Sequence, residues 1–319
     1  DAGMTAIPGA AAPVTRGGDT QRRRRIGEKW YTPYLFVLPH LLVFIGLIGI
    51  PFVFGLWISL FAYDQVSPSS PFVGLQNYIN LIDPQSIHFG FFWQGLWNTV
   101  LFVILSTPTL VGVGLLLAVL LNNRFRGRNF FRGLYFAPWT LSVAVIGVLW
   151  WWILQDQGGL ISNGLKGIGI TPPSWLSSNP WAWISILVAT VWWTVGFNTI
   201  ILLAGIQAIS LDLYEAASID GASRWQQFRS ITVPSLRPIL LLVVTLQVIA
   251  SFNLVGQPQL MTGGGPPVNE TTPVLLYIYN TGWTGRYELG EAAAMAMVVA
   301  LIMVVVSVIN FRFFASERA

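Results

Sequence analysis

Apolar residues along this 319-residue chain are gathered into six long blocks that contain no Asp, Glu, Lys or Arg. The blocks are residues 30–63, 84–123, 133–155, 167–211, 238–269 and 292–311. Each block can supply the ~20 apolar residues that an α-helix needs to cross the hydrocarbon core of a bilayer. The pattern therefore predicts six membrane-spanning helices, near residues 34–61, 96–121, 134–154, 182–206, 238–256 and 291–311.

The composition supports a membrane protein. Hydrophobic residues make up 54% of the chain and charged residues only 9%, whereas soluble domains carry about 25% charged residues. The expected fold is an all-α polytopic membrane protein with residues 30–315 as its membrane domain. Residues 1–29 are expected to form a disordered basic tail and residues 316–319 a short C-terminal tail. The chain has no cysteine, which excludes disulfides, thiolate metal sites and cysteine nucleophiles.

The basic residues predict the orientation of the helices. With six spans, both termini and the loops at 122–133 and 207–237 lie on one side of the membrane. That side holds all but two of the 17 Lys and Arg residues, the exceptions being Lys166 and Arg286. Cytoplasmic loops carry the excess of Lys and Arg, so both termini are expected in the cytoplasm. The high pI of 9.6 then reflects topology and gives no reason to expect nucleic-acid binding.

The chain shows no energy source or catalytic set of its own. Intramembrane charges usually mark ion pathways or proton relays, and the apolar blocks contain none. The segment Gly159–Gly164 is followed by Leu165 where a phosphate-binding loop needs Lys. His40 and His88 lie far apart and form no zinc or nucleophile motif. These features disfavour an enzyme and a cofactor or metal site, and they indicate that energy enters from outside the membrane.

The polar segment between the fourth and fifth apolar blocks is expected to form a helical hairpin, residues 210–234. Ser210 can cap a first helix that runs to about Ile219. Asp220-Gly221 is a turn signal, because Gly adopts positive φ without strain. Ser223 and Gln226 form a capping-box pattern for a second short helix. That helix is expected to end before Pro234, since the residue before proline avoids α geometry.

Two interpretations of this hairpin are open on the residues alone. Small residues near the bend permit close approach of another protein, and aromatic residues such as Trp225 and Phe228 are typical interface anchors. The hairpin would then be a docking surface. Alternatively, it packs only on its own helix bundle at the membrane interface.

The spacing within the hairpin resembles a known motif. Glu215-Ala216-Ala217 is followed after three intervening residues by Gly221 and, after nine further intervening residues, by Ile-Thr-Val-Pro. This pattern resembles the coupling motif of bacterial ABC importer permeases, with Val233 in place of the usual Leu. In that family the hairpin sits in a cleft of an ATPase subunit and transmits its closure to the membrane helices. The resemblance implies an ATPase-coupling set of Glu215, Ala216, Ala217, Asp220, Gly221, Arg224 and Pro234.

Further segments resemble the sugar-type branch of this family, and together they cover roughly residues 30–315. They include Asn98-Thr99, Ala137-Pro138-Trp139, Ser251-Phe252, the run from Thr262 to Pro266 and the run from Gly290 to Ala294. The family usually carries an acid a few residues after the Ser-Phe pair, where this chain has Val255-Gly256-Gln257. The resemblance implies a second permease subunit, two ATPase subunits that bind ATP and Mg, and an extracytoplasmic solute-binding protein, all working in membrane lipid.

A sugar route needs hydrogen-bonding groups but no charges. The candidate pathway residues are Asn198, Gln247, Ser251, Asn253 and Gln257. Such amides also bridge packed membrane helices, and this alternative is favoured slightly for Asn198, while a cavity is favoured slightly for Asn253. The candidate contacts for a binding protein are Gly264, Gly265, Pro266 and Glu270 in the last outer loop. The tryptophans near the span ends are typical of an aromatic belt.

The function expected from these observations is that of a permease subunit of an ATP-driven importer for an oligosaccharide, amino sugar or related polyol. The alternatives are a secondary carrier or channel that does not use ATP, and a glycerol-phosphate type of cargo within the same family. The missing buried carboxylate and the spaced Gly221 count against the first alternative. The absence of cations in the spans disfavours a phosphorylated cargo, although a partner permease could supply them.

Overall fold

The computed structural model describes residues 31–64, 69–123, 125–265, 269–284 and 287–315. The predicted tails at residues 1–29 and 316–319 lie outside these ranges. Within them the chain is helical, apart from loops and two isolated β-bridges that pair Phe61 with Phe72 and Asp64 with Glu288. The predicted all-α fold is therefore confirmed.

Fourteen α-helices are present in the described residues. They are α1 (Thr32–Phe44), α2 (Ile50–Ile58), α3 (Gln76–Ile79), α4 (Ile87–Asn122), α5 (Arg128–Phe136), α6 (Val143–Leu154), α7 (Leu160–Gly167), α8 (Trp181–Gln207), α9 (Leu211–Ile219), α10 (Arg224–Gln227), α11 (Val233–Phe252), α12 (Gly256–Met261), α13 (Val274–Tyr279) and α14 (Leu289–Ala315). Single π-helical turns at Ile45–Gly49 and Phe228–Thr232 join α1 to α2 and α10 to α11, and a third, Asn280–Thr284, follows α13.

Five helical segments are long and apolar enough to cross a membrane: Tyr34–Ile58, Ile87–Asn122, Trp181–Gln207, Arg224–Phe252 and Leu289–Ile309. The sixth candidate is a pair, Arg128–Thr140 and Val143–Leu154, bent by 100° at the break between them. The prediction of one continuous third helix over residues 134–154 is therefore wrong. Pro138 sits in a 3₁₀ turn, Leu141 is extended, and the Ser142 hydroxyl caps a new helix by accepting from the amide of Val145.

The chain divides into two compact units, residues 1–52 and 53–319. In the first, the described part is the helix α1 and its continuation, whose apolar side chains are exposed, as lipid-facing residues are. In the second, α4, α8 and α11 pack around a cluster of buried apolar side chains: Ala118, Leu121, Leu202, Leu203, Ile206, Leu236 and Val243. These three helices form the frame on which the polar segments are held.

Close backbone approach fixes the bent third span against α8. A Cβ added at Gly196 would overlap the carbonyl oxygen of Tyr135 and would lie 2.9 Å from the Cα of Phe136. Only a residue without a side chain fits there. The end of α5, just before the break, thereby lies against the middle of α8.

The last membrane helix contains a carboxylate that the prediction of charge-free spans missed. Helix α14 begins at Leu289, so Glu291 lies in its first turn. Asn80 Nδ2 donates to Glu291 Oε1 at 2.6 Å. Close by, His88 Nε2 lies 3.2 Å from Glu288 Oε2, and His88 Nδ1 lies 3.0 Å from the Tyr277 hydroxyl. These contacts join the starts of α4 and α14 at one end of the bundle, away from the middle of the membrane.

Candidate functional site

The first limb of the hairpin is helix α9, Leu211–Ile219, which begins and ends as predicted. The Ser210 hydroxyl accepts from the amide of Asp212 at 3.3 Å. This side chain satisfies one of the amides that a helix start leaves without a partner. Asp212 also places an acid in the first turn, where the helix dipole favours negative charge.

The bend after α9 depends on Gly221. Its φ is +79°, in the left-handed region that L-residues with a side chain resist. The Gly221 amide donates to the Ser218 carbonyl at 3.1 Å, and the Ala222 amide donates to the Ala217 carbonyl at 2.9 Å. These bonds satisfy carbonyls at the end of α9, as in common helix C-caps.

The second limb starts as predicted but does not end as predicted. Ser223 and Gln226 form a complete capping box. The helix then continues through the π turn Phe228–Thr232 into α11, with Val233 at φ −63° and ψ −46°. The expected end before Pro234 is therefore wrong. A π turn uses i−5 backbone bonds, so the i−4 bond that a proline cannot donate is not needed there. The second limb and the fifth span are therefore one helix.

Side-chain bonds tie the two limbs together. The Tyr214 hydroxyl lies 2.9 Å from the Thr232 hydroxyl. Gln227 Nε2 donates to the Ser218 hydroxyl at 2.9 Å and to the Ala222 carbonyl at 3.1 Å. Both limbs are therefore bonded to the base of α11 or to each other.

The outward face of the hairpin is exposed and partly apolar. Ile219 is 86% exposed and Trp225 is 68% exposed, and the Trp225 ring stacks on Phe228 with centroids 5.5 Å apart. The predicted coupling residues Glu215, Ala216, Asp220, Gly221, Arg224 and Pro234 are exposed, and Ala217 is half-buried. The exposed face of the hairpin thus places acids beside apolar side chains, and its docking role stays a prediction.

Most of the candidate pathway residues lie inside the bundle and bond to other helices. Asn198 Nδ2 on α8 donates to Gln247 Oε1 on α11 at 3.1 Å, and Gln247 Nε2 donates to the Ser251 hydroxyl at 3.3 Å. The Ser251 hydroxyl lies 2.8 Å from that of Ser106 on α4. The chain of bonds thus links all three framework helices, as polar bridges between membrane helices do.

The other two pathway candidates differ in their surroundings. Gln257 is buried, and its Nε2 donates to the Thr190 hydroxyl at 3.4 Å. Asn253 is exposed and donates to the Ile249 carbonyl of its own helix at 2.8 Å. A role of these five residues in substrate passage stays a prediction.

Ser106 was missed in the sequence, although Ser106-Thr107-Pro108 is a polar interruption of an otherwise apolar helix. The buried His88 with Tyr277 and Glu288 was also missed, because its partners are 189 and 200 residues away. Only the interruption at Ser106 gave a signal in the sequence.

The last outer loop is held against α4 by two neighbouring residues. Asn98 Nδ2 donates to the carbonyls of Asn269 and Thr272, each at 3.0 Å. The Thr99 hydroxyl accepts from the amide of Val274 at 3.0 Å. The pair Asn98-Thr99 therefore sets where this loop stands at the outer ends of the helices.

The candidate binding-protein contacts lie on this loop. Gly264 has a φ of +83°, and its carbonyl accepts from the Thr272 hydroxyl at 2.6 Å. The Gly265 carbonyl accepts from the Thr271 hydroxyl at 3.0 Å. Glu270 accepts from Asn179 Nδ2 at 2.9 Å, in the segment before α8. Pro266 lies outside the described residues, and a contact of this loop with a binding protein stays a prediction.

Comparison with known families decides the class of the chain. Residues 110–316 match the model of the binding-protein-dependent transport system inner membrane component family. The chain belongs to this family. The match includes the hairpin, the bent third span and the last outer loop.

Several relatives of this chain have names that describe sugar transport. The chain is 35% identical to a trehalose/maltose transport system permease protein of Thermococcus litoralis, over 88% of this chain and 94% of the relative. It is 33% identical to a lactose transport system permease protein of Rhizobium radiobacter, over 89% and 94%. It is 30% identical to an arabinooligosaccharide transport system permease protein of Bacillus subtilis, over 91% of each. The resemblance to sugar-type ABC importer permeases is confirmed.

Solved structures agree on the fold. The chain is similar, with a TM-score of 0.75 and 24% identity, to a chain of a bacterial ABC transporter that imports the acidic polysaccharide alginate, over 90% of this chain and 96% of that one. A second structure of such a transporter, in complex with an alginate pentasaccharide-bound periplasmic protein, gives the same TM-score over 88% and 92%. At this identity the likeness establishes the fold alone.

Proposed function

We propose that this chain is the membrane-spanning subunit of an ATP-driven importer that carries an oligosaccharide into the cytoplasm. The observation that carries the proposal is the hairpin of residues 210–234. It presents exposed anchors such as Ile219 and Trp225, and its second limb is continuous with the fifth membrane helix. A displacement of the hairpin by a partner would therefore reach the membrane directly.

The proposed mechanism uses the bonds between the limbs. Closure of two ATPase subunits on ATP and Mg would push on the first limb near Glu215 and Gly221. The Tyr214–Thr232 bond and the Gln227 bonds would pass the movement to α11. Since α11 bonds to α8 and α4 through Asn198, Gln247 and Ser251, the three helices would move together. Such movement converts ATP binding into a change between two access states.

The proposed assembly contains a second permease subunit, two ATPase subunits and an extracytoplasmic solute-binding protein. The arginine-rich side of the chain would face the cytoplasm, with both termini there. The periplasmic protein in the alginate transporter complex supports a solute-binding partner for this chain as well. The outer loop at residues 262–272, held by Asn98 and Thr99, would meet that partner.

The proposed cargo is an uncharged sugar of two or more units. The names of the relatives, which include trehalose, maltose, lactose and arabinooligosaccharides, support this class. The buried polar side chains of the bundle also include amides and hydroxyls, such as those of Asn198 and Ser251, which can bond to an uncharged sugar. A glycerol-phosphate cargo and an ATP-independent carrier are the competing functions.

Uptake by the reconstituted complex tests the proposal. Vesicles with the cognate binding protein outside and ATP inside should accumulate sugar, and Gly221→Asp should abolish the uptake while the subunit still inserts. A side chain at φ +79° would open the bend. Gly169→Asp is the matched control, since Gly169 also has positive φ, at +80°, but lies outside the hairpin. Sugar accumulation that persists without ATP or without the ATPase subunits would exclude the proposed function.

A further inference from the structure

A cavity lies behind the hairpin, on the side that faces its own bundle. Its volume is about 510 Å³, within the range of small-molecule sites in proteins. It is enclosed by the end of α4, the start of α5, the end of α8 and both limbs of the hairpin. The lining residues are Val119, Asn122, Asn123, Arg128, Ile206, Gln207, Ile209, Leu211, Tyr214, Arg224, Gln227, Phe228 and Thr232.

The polar part of this lining is suited to an anion. Arg128 and Arg224 both reach the cavity, and no Asp or Glu is among its lining residues. Within the described residues, neither guanidinium forms an ion pair with an acid. Amide side chains such as Asn122 and Gln227 complete the lining. Two guanidinium groups without a counter-ion favour a ligand with a phosphate, which arginine binds through paired hydrogen bonds.

The remainder of the lining is apolar, which indicates an amphiphile. Val119, Ile206 and Phe228 bring aliphatic and aromatic carbon to the same cavity. The cavity also lies where the apolar segments of α4 and α8 end, at Asn122 and Gln207. Lipid headgroups lie where the apolar segments of membrane helices end. An inorganic phosphate ion would contact only the polar part of this lining.

Helix α5 supports the same location. Arg128 and Arg132 lie one turn apart on one face, while the exposed Phe130 and Leu134 lie on the opposite face. A helix with a basic and an apolar face lies in the plane of the membrane interface. Arg132 is already engaged, because its Nη2 donates to the Leu121 carbonyl at 3.4 Å. Arg128 is the guanidinium that this helix offers to the cavity.

We infer that this cavity binds an anionic phospholipid of the leaflet on the hairpin side, with Arg128 and Arg224 around its phosphate and acyl carbon against Val119 and Ile206. Basic pockets between membrane helices on the cytoplasmic side are known sites for acidic headgroups. The lipid would join the hairpin to the bundle, since Arg224 belongs to the second limb and Arg128 to α5. The inference rests on the proposed function in one respect only, namely that this leaflet is the cytoplasmic one.

Native mass spectrometry of the full chain in neutral detergent tests the inference, with phosphatidylglycerol and phosphatidylcholine as probes. Phosphatidylglycerol should bind more tightly. Arg128→Gln and Arg224→Gln should each weaken its binding about fivefold, whereas Arg128→Lys should retain most of it. Arg126→Gln is the matched control, because Arg126 is exposed, carries the same charge two residues away and does not line the cavity.

Several outcomes would overturn the inference. One is an equal loss in Arg126→Gln and Arg128→Gln, which would indicate surface charge alone. Another is unchanged phosphatidylglycerol binding in the Arg128→Gln/Arg224→Gln double variant. A third is an Arg128-dependent signal from inorganic phosphate with none from the lipid. If Arg128→Gln does not fold, Arg224→Gln tests the same cavity from the exposed hairpin. The measurement needs no ATPase subunit, so a failure of ATP-driven uptake would leave its result unaffected.

Discussion

The hydroxyl of Tyr214 lies 2.9 Å from the hydroxyl of Thr232, so the first limb of the hairpin is bonded to the helix that becomes the fifth span. Thr232 is buried at the last position of the π turn, and Tyr214 is half-buried on α9. This is a side-chain bond across 18 residues of sequence. It supplements the covalent path through the bend at Gly221.

Removal of the Tyr214 hydroxyl should weaken the transmission of movement. A net hydrogen bond contributes about 0.5–1.5 kcal/mol, so Tyr214→Phe should lower sugar uptake per ATP hydrolysed by roughly 2- to 10-fold. Tyr279→Phe, which removes an exposed hydroxyl elsewhere, should leave the ratio unchanged. In the Tyr214→Phe/Thr232→Val double variant the loss should equal that of the single variants. Losses that add independently would show that the bond does not carry the coupling.

The capping box at Ser223 should stabilise the start of the second limb. Its hydroxyl accepts from the Gln226 amide, and Gln226 Oε1 accepts from the Ser223 amide at 2.7 Å. Ser223→Ala should cost about 1 kcal/mol of local stability and speed hydrogen exchange of the Gln226 amide by roughly fivefold. Ser230→Ala, an exposed serine seven residues further on, is the control. Equal exchange in both variants would contradict the capping role.

Features set by neighbouring residues could be predicted from the sequence. Ser210, Gly221 and Ser223 act through groups within three residues of themselves, so their roles are visible in the local pattern. Five of the six predicted spans match continuous helices that are long and apolar enough to cross a membrane, because about twenty apolar residues must leave water wherever they pack.

Features that depend on distant residues could not be predicted. The end of the second limb at Pro234 was wrong because a π turn accommodates the proline within a continuous helix. The end of α5 before the break is contacted by Gly196, about sixty residues away in the sequence. The amide chain from Asn198 to Ser106 likewise depends on three helices meeting. Polar residues in a span show that a partner is needed, without showing which helix supplies it.

Substitution of Asn198 separates a structural role from a role in sugar passage. Asn198→Leu would leave Gln247 Oε1 buried without its donor, which costs about 1–3 kcal/mol. We expect a lower unfolding temperature of the purified chain. Asn253→Leu should change it little, because Asn253 is exposed and bonds only to its own helix. An unchanged unfolding temperature together with lost uptake would assign Asn198 to the sugar route instead.

Gly196 should tolerate no side chain at all. A Cβ there would overlap the carbonyl oxygen of Tyr135, which is backbone and cannot rotate away. Gly196→Ala should therefore destabilise the folded chain by about 1–3 kcal/mol, which is the usual cost of overpacking. Gly112→Ala is the matched control, since nothing lies within 4 Å of its added Cβ and alanine favours a helix by about 1 kcal/mol. Thermal unfolding in detergent measures both. If Gly196→Ala unfolds no earlier than Gly112→Ala, the bent third span is not held against α8 by this contact.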